Sequence, residues 1–270
     1  MLGGRIVFST LCVVLLASNA WAVSGYSQGF ESDVSGFTAY QGITQVASGG
    51  GALHLNASSG DFYAEVQNKP DEYGYGCGMG GYSFYGGKDS VYSGPFHQSI
   101  DVYINTAWAP GYLGGTPAFW IDMAPYHADP NNYGAEQNFQ VSVPGTGIVN
   151  ISATGQSDQL ATITESGWYT FDMVFRQGTN ANELVETDLS VYDSAKSLLG
   201  TTTLQANSPG GPFLNSDLCG NGYVWLSVWQ NGFAGDVIAI DNLVAGPVPE
   251  PATLSLLVLG GLAALRRRNK

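Results

Sequence analysis

From Phe62 to Val244 the chain alternates apolar and polar residues, or runs apolar, in segments of five to nine residues. Almost nowhere does it show the 3.6-residue period of a helix. The segments are Phe62–Val66, Gln98–Ile104, Ala118–Met123, Phe139–Val143, Val149–Ala153, Trp168–Phe175, Leu184–Tyr192, Tyr223–Trp229 and Val237–Val244, each bounded by Gly, Pro, Asn or Asp. A strand of period two has one apolar face, which has to be buried against a second layer. Nine such segments with turn signals between them, in a chain of 37 glycines, predict an all-β sandwich. The run Tyr73–Gly87 (YGYGCGMGGYSFYGG) reads as a long aromatic and glycine loop. No linker-like stretch divides residues 23–246, so one domain is expected there.

The two ends do not belong to that domain. Arg5 gives a small positive start, Ile6 to Ala17 is nearly all apolar, and Ala20-Trp21-Ala22 offers small residues at −3 and −1 of a cleavage site. Residues 1–22 are therefore read as a signal helix removed by signal peptidase. At the other end Val248-Pro249-Glu250-Pro251-Ala252-Thr253 leads into an apolar stretch closed by Arg266, Arg267, Arg268 and Lys270. Pro249 keeps the backbone extended, and Pro251 suits a first helical position that needs no amide donor. Glu250 lies at the positive end of the helix dipole and the arginines at its negative end. Ala252 to Leu265 makes about 21 Å of helix against a hydrocarbon core of about 30 Å, a short transmembrane helix completed by snorkelling arginines. The basic cluster is expected to stay cytoplasmic, with everything before Val248 on the far side.

Residues 247–270 resemble the PEP-CTERM sorting signal of Gram-negative exopolysaccharide producers, with proline motif, short helix and terminal arginines in order. The resemblance implies a membrane-embedded cysteine transpeptidase, an exosortase, as partner. It recognises Pro249, Glu250 and Pro251, cleaves close by, and leaves a mature protein released or attached at the cell surface.

Between the ends, 21 acidic residues face only Lys69, Lys88, Arg176 and Lys196. Nucleic acid is excluded as a partner, because phosphate binding needs clustered Lys and Arg. Cys12 leaves with the signal peptide, and the remaining even pair, Cys77 and Cys219, predicts one disulfide in an oxidising compartment. Closing a loop of more than a hundred residues, it would contribute up to about 4–5 kcal/mol. There is no C-x-x-C, and the histidines lack zinc-ligand spacing.

The order of parts resembles a second family. Gly29-Phe30-Glu31 opens the domain, Trp168–Phe175 is followed by Leu189-Ser190-Val191-Tyr192-Asp193, and Ala239-Ile240-Asp241-Asn242-Leu243 closes it. Together these are similar to concanavalin A/laminin-G-like jelly rolls and to the jelly rolls of carbohydrate-binding modules. The resemblance implies a structural calcium where first and last strands meet, with Glu31 and Asp241 as its carboxylates and loop carbonyls completing six to eight oxygens. The Asp129–Gln140 stretch fails as an EF-hand, with Tyr133 and Gln140 at ligand positions.

Period-two alternation puts Val224, Leu226 and Val228 toward the core, and Trp225, Ser227 and Trp229 on the opposite face, a platform on which sugar rings could stack. Glycoside hydrolysis needs two carboxyls about 5 to 10 Å apart, and no E-x-D-x-x-E strand supplies them. The expectation is an exported, non-catalytic protein that binds polysaccharide of the extracellular matrix through Trp225 and Trp229. The rival readings are a structural matrix protein without ligand and a polysaccharide-degrading enzyme.

Overall fold

The computed structural model describes residues 26–34, 37–39, 43–67, 80–83, 96–108, 119–127, 137–145, 147–153, 158–176, 185–205, 207–208, 211–212, 218–227 and 237–247. The signal segment 1–22, the sorting residues Pro249, Glu250, Pro251 and Arg266 to Arg268, the tail helix, Cys77 and Trp229 lie outside them, and so does the expected Cys77–Cys219 bridge. Among the described residues there is no helix long and apolar enough to cross a membrane.

The elements are β1 (Tyr26–Gln28), β2 (Phe37–Ala39), β3 (Ile43–Ala47), β4 (Phe62–Gln67), β5 (Gly80–Ser83), β6 (Phe96–Ile104), β7 (Phe119–His127), β8 (Gln137–Gly145) and β9 (Ile148–Ala153). They continue with β10 (Gln159–Ile163), β11 (Gly167–Arg176), β12 (Glu186–Tyr192), β13 (Leu198–Gln205), β14 (Asn207–Ser208), β15 (Gly211–Pro212), β16 (Leu218–Ser227) and β17 (Val237–Pro247). Two antiparallel sheets form. The larger runs β13-β12-β11-β6-β17-β4-β3, with β1 also on β17; the smaller runs β10-β9-β8-β7-β16-β5-β2. Each of the nine expected segments contains a strand among its described residues. The glycine-rich run is corrected: Gly80–Ser83 is not loop but β5, paired with both β16 and β2. Glycine has no side chain to show alternation, so the strand left no local trace.

Alternation decides what is buried. On β11, Tyr169, Phe171, Met173 and Phe175 are buried while the residues between them are half-exposed. Ile100, Val102 and Ile104 of β6 and Leu189 and Val191 of β12 join them from the same sheet. The smaller sheet supplies Phe119, Ile121, Phe139, Val141, Val149 and Ile151. Phe139 and Phe171 meet edge to face across the gap, with ring centroids 5.2 Å apart.

Strand β17 carries a bulge. Its register with β6 shifts between Asp241 and Val244, and Asn242 takes φ 48°. The extra residue lets Asp241 pair with Asp101 and still returns Leu243 to the core. Asparagine tolerates the left-handed region better than most residues, which suits it to this position.

The open edges of the two sheets, β10 and β13, approach each other. A Cβ built on Gly200 would stand on the carbonyl oxygen of Leu160. We expect Gly200→Ala to destabilise the domain by about 1–3 kcal/mol, because a backbone atom cannot rotate aside. Gly145→Ala, where a Cβ meets nothing within 4 Å, should stay within about 0.5 kcal/mol of wild type. Urea midpoints of the two variants check the contrast.

Candidate functional site

In the smaller sheet the core takes Phe119, Ile121, Phe139, Val141, Val149 and Ile151. The residues between them, Trp120, Asn138, Gln140, Ser142, Asn150 and Ser152, are therefore on the outer face, and all are half-buried. Register sets them in rows across the strands. One row is Ser227, Trp120, Gln140, Ser152 and Gln159, drawn from β16, β7, β8, β9 and β10. Four inter-strand spacings make it about 19 Å long. A second row joins Trp225, Asp122 and Asn138, and a third Ser142, Asn150 and Thr162. The Thr162 hydroxyl donates to Gln159 Oε1 at 3.2 Å, and the Ser142 hydroxyl to the carbonyl of Asn150 at 3.4 Å.

In the register of β16 with β7, Ser227 stands opposite Trp120, Leu226 opposite Ile121 and Trp225 opposite Asp122. Trp229 lies outside the described residues. Trp108, another tryptophan flanking a polar loop, packs edge to face on Phe119 at 5.6 Å and belongs with the core. The amide and hydroxyl partners of Trp120 were not visible in the sequence, because they come from neighbouring strands and depend on register.

Glu31 and Asp241 are brought to one segment, residues 48–61, which lies over the outer face of the larger sheet. Glu31 accepts from the amides of Asp61 at 3.1 Å and Phe62 at 3.3 Å. Gly60, at φ 68°, leaves room for that carboxylate. Asp241 accepts from the amides of Ser59 at 3.1 Å and Asn242 at 2.8 Å. Glu65 takes the amides of Ala52 and Leu53, and Trp168 Nε1 donates to the Asn56 carbonyl at 2.8 Å. Beneath the segment Val46, Tyr63 and Ala239 form a small second core with Leu53, Leu55 and Trp168.

Burial pushes the Asp241 carboxyl up to about 6, against the pull of the Ser59 and Asn242 amides and aided by the charge of Asp101. Burial, and then the hydrogen bond to Glu65, push the Tyr63 hydroxyl up to about 12. A calcium shell needs six to eight oxygens. Here the oxygens of Glu31 and Asp241 face amide N–H groups, and no group of three His, Cys, Asp or Glu gathers among the described residues. As placed, the two carboxylates clamp residues 59–62 through their backbone amides.

The rest of that outer face is charged and internally paired. Arg176 bonds Asp188 at 2.7 Å and also Glu186. Against the cost of burial, hydrogen bonds from Arg176 and Thr203 hold Asp188 below the usual carboxylate range. Lys196 lies 3.3 Å from the buried Asp101, which also takes bonds from Thr170, Ser58 and Asn242. His97 lies 2.5 Å from Asp172.

Residues 247–268 match the family model described as the PEP-CTERM protein-sorting motif. No protein of curated function matches the sequence. Among solved structures, the chain is similar to the CBM2 module of the evolved Dit protein of Lactobacillus casei BL23 phage J-1. The two share 12% identity over 83% of this chain and 96% of that one, with a TM-score of 0.45. Lectin I-B4 of Griffonia simplicifolia shows 10% identity over 82% and 98%, TM-score 0.41. The PL-14 alginate lyase of Aplysia kurodai shows 10% over 69% and 83%, TM-score 0.39. Likenesses of this size say nothing about ligand or activity. The chain thus joins a β-sandwich built on two large antiparallel sheets to a PEP-CTERM protein-sorting motif at residues 247–268.

Proposed function

We propose that the mature domain binds polysaccharide in the extracellular matrix without catalysing a reaction on it. The outer face of the smaller sheet supports this reading: Trp120 stands in a row with Gln140 and Ser152, and Trp225 in the next row with Asp122 and Asn138. An aromatic plane covers the C–H face of a sugar ring, while amides and hydroxyls both donate to and accept from its hydroxyls. Asp122 is the one carboxylate in the seven strands of this sheet, and general acid–base hydrolysis takes two. Before maturation the chain is exported by its signal segment, cut by signal peptidase after Ala22, and held in the inner membrane by the tail helix until the exosortase acts.

Retention of the purified protein on exopolymer from a producing strain tests the binding. Trp120→Ala and Trp225→Ala should each weaken it about tenfold, the loss expected for a central aromatic anchor. Unchanged retention in the double variant would remove this face as the site, and a falling polymer size on incubation would restore the enzyme reading. For the tail, Pro249→Ala should leave the precursor uncleaved in a strain with exosortase, as read by its size on an immunoblot.

The clamp is tested by pH. Asp241 binds its proton more tightly in the folded state, at about 6, than in the unfolded chain, near 3.9, so its contribution to stability is present below about pH 4 and lost as pH rises through about 6. The Tm gained on going from pH 7 to pH 5 should be larger for wild type than for Asp241→Asn. A calcium ion held by Glu31 and Asp241 would show differently, as a Tm that rises on adding calcium at pH 7 and does so less in Asp241→Asn.

A further inference from the structure

The two outer faces of the sandwich differ in charge, and the difference selects a class of polymer. In the seven strands of the smaller sheet there is no Lys and no Arg; the charged or titratable side chains other than tyrosine and cysteine are Asp122 and, at the end of β7, His127. The described cations of the larger sheet are already engaged, Arg176 by Asp188 and Glu186, and Lys196 by Asp101. The whole chain carries a formal net charge of −13. Resting on the polysaccharide-binding reading above, we infer that this face takes a neutral, hydroxyl-rich polysaccharide and rejects uronate or sulfated polymers.

An acidic polymer laid along the row Ser227, Trp120, Gln140, Ser152 and Gln159 finds no cation in it. Its carboxylates would lose hydration without a charged partner, which costs far more than desolvating a hydroxyl that regains a hydrogen bond. The surrounding negative charge adds repulsion that reaches about 8 Å at physiological salt. A neutral polyol meets none of these costs. An amide side chain such as Gln140 carries both a donor and an acceptor, the pairing that a sugar hydroxyl requires.

The test is affinity electrophoresis of the full exported chain through gels containing a neutral polymer (laminarin, galactomannan or agarose) or an acidic one (alginate or polygalacturonate), at low and at 0.3 M salt. We expect retardation by at least one neutral polymer, unchanged by salt, and none by either acidic polymer. Retardation by alginate or polygalacturonate as strong as by any neutral polymer overturns the charge selection while leaving polysaccharide binding intact. Retardation by no polymer overturns both. Gln140→Lys places a cation in the row: it should weaken neutral retention about tenfold and bring in alginate retardation that 0.3 M salt removes. A Gln140→Lys variant that migrates like wild type in both gels would overturn the assignment of the face.

Discussion

A β-strand has two faces, and in this sandwich the contact between Phe139 and Phe171 helps decide which one faces outward. Their edge-to-face packing holds β8 of one sheet against β11 of the other, in phase with the rows of Ile, Val and Phe on either side. Slipping either strand by one residue would bury Gln140 or Asp172 and expose a phenylalanine. Burying an unpartnered amide or carboxylate while losing a buried aromatic is too costly to compete. The outer rows are thus held as firmly as the core, because they are the same strands seen from the other side.

The larger sheet covers part of its outer face with residues 48–61 and ion-pairs much of the rest. That cover depends on acids. Asp101 and Asp241 are both buried and sit opposite each other in register, an arrangement that repulsion and desolvation oppose. Amides, hydroxyls, the Asn242 side chain and the Lys196 ammonium offset the cost. Segment and acids stabilise each other: without the acids the segment's amides lose acceptors, and without the segment Asp241 loses a donor and gains water. In the smaller sheet the outward positions of β7, β8 and β9 carry Trp120, Asn138, Gln140, Ser142, Asn150 and Ser152, all half-buried.

Much of this could be read from the residues alone, and what could not has a common cause. The nine strands with two-residue alternation were legible because burial writes itself into local pattern. β5 was not, since Gly80 and Gly81 carry no side chain. Nor was β13, whose Thr201 and Thr203 face outward on an open edge beside the exposed Leu198 and Leu199. Trp225 was read from parity as facing away from the core. Its neighbours Asp122 and Asn138 were not foreseen, because register is a relation between strands. Glu31 and Asp241 were read as meeting at a calcium; in the fold each accepts bonds from one segment. Their partners turned out to be backbone amides, which no side-chain motif announces.

The relation between sorting and binding follows from where the chain ends its fold. The sorting motif begins at residue 247, the last residue of β17, and β17 lies inside the larger sheet. Leu243 is the last buried apolar residue among those described, four residues before the motif starts. Cleavage beyond residue 247 removes no side chain from that core. The polar rows belong to the other sheet, across the full thickness of the sandwich from the strand that leads into the tail. If the tail is cut as proposed, precursor and mature protein would carry the same described outer face, and processing would change where that face is displayed rather than its chemistry.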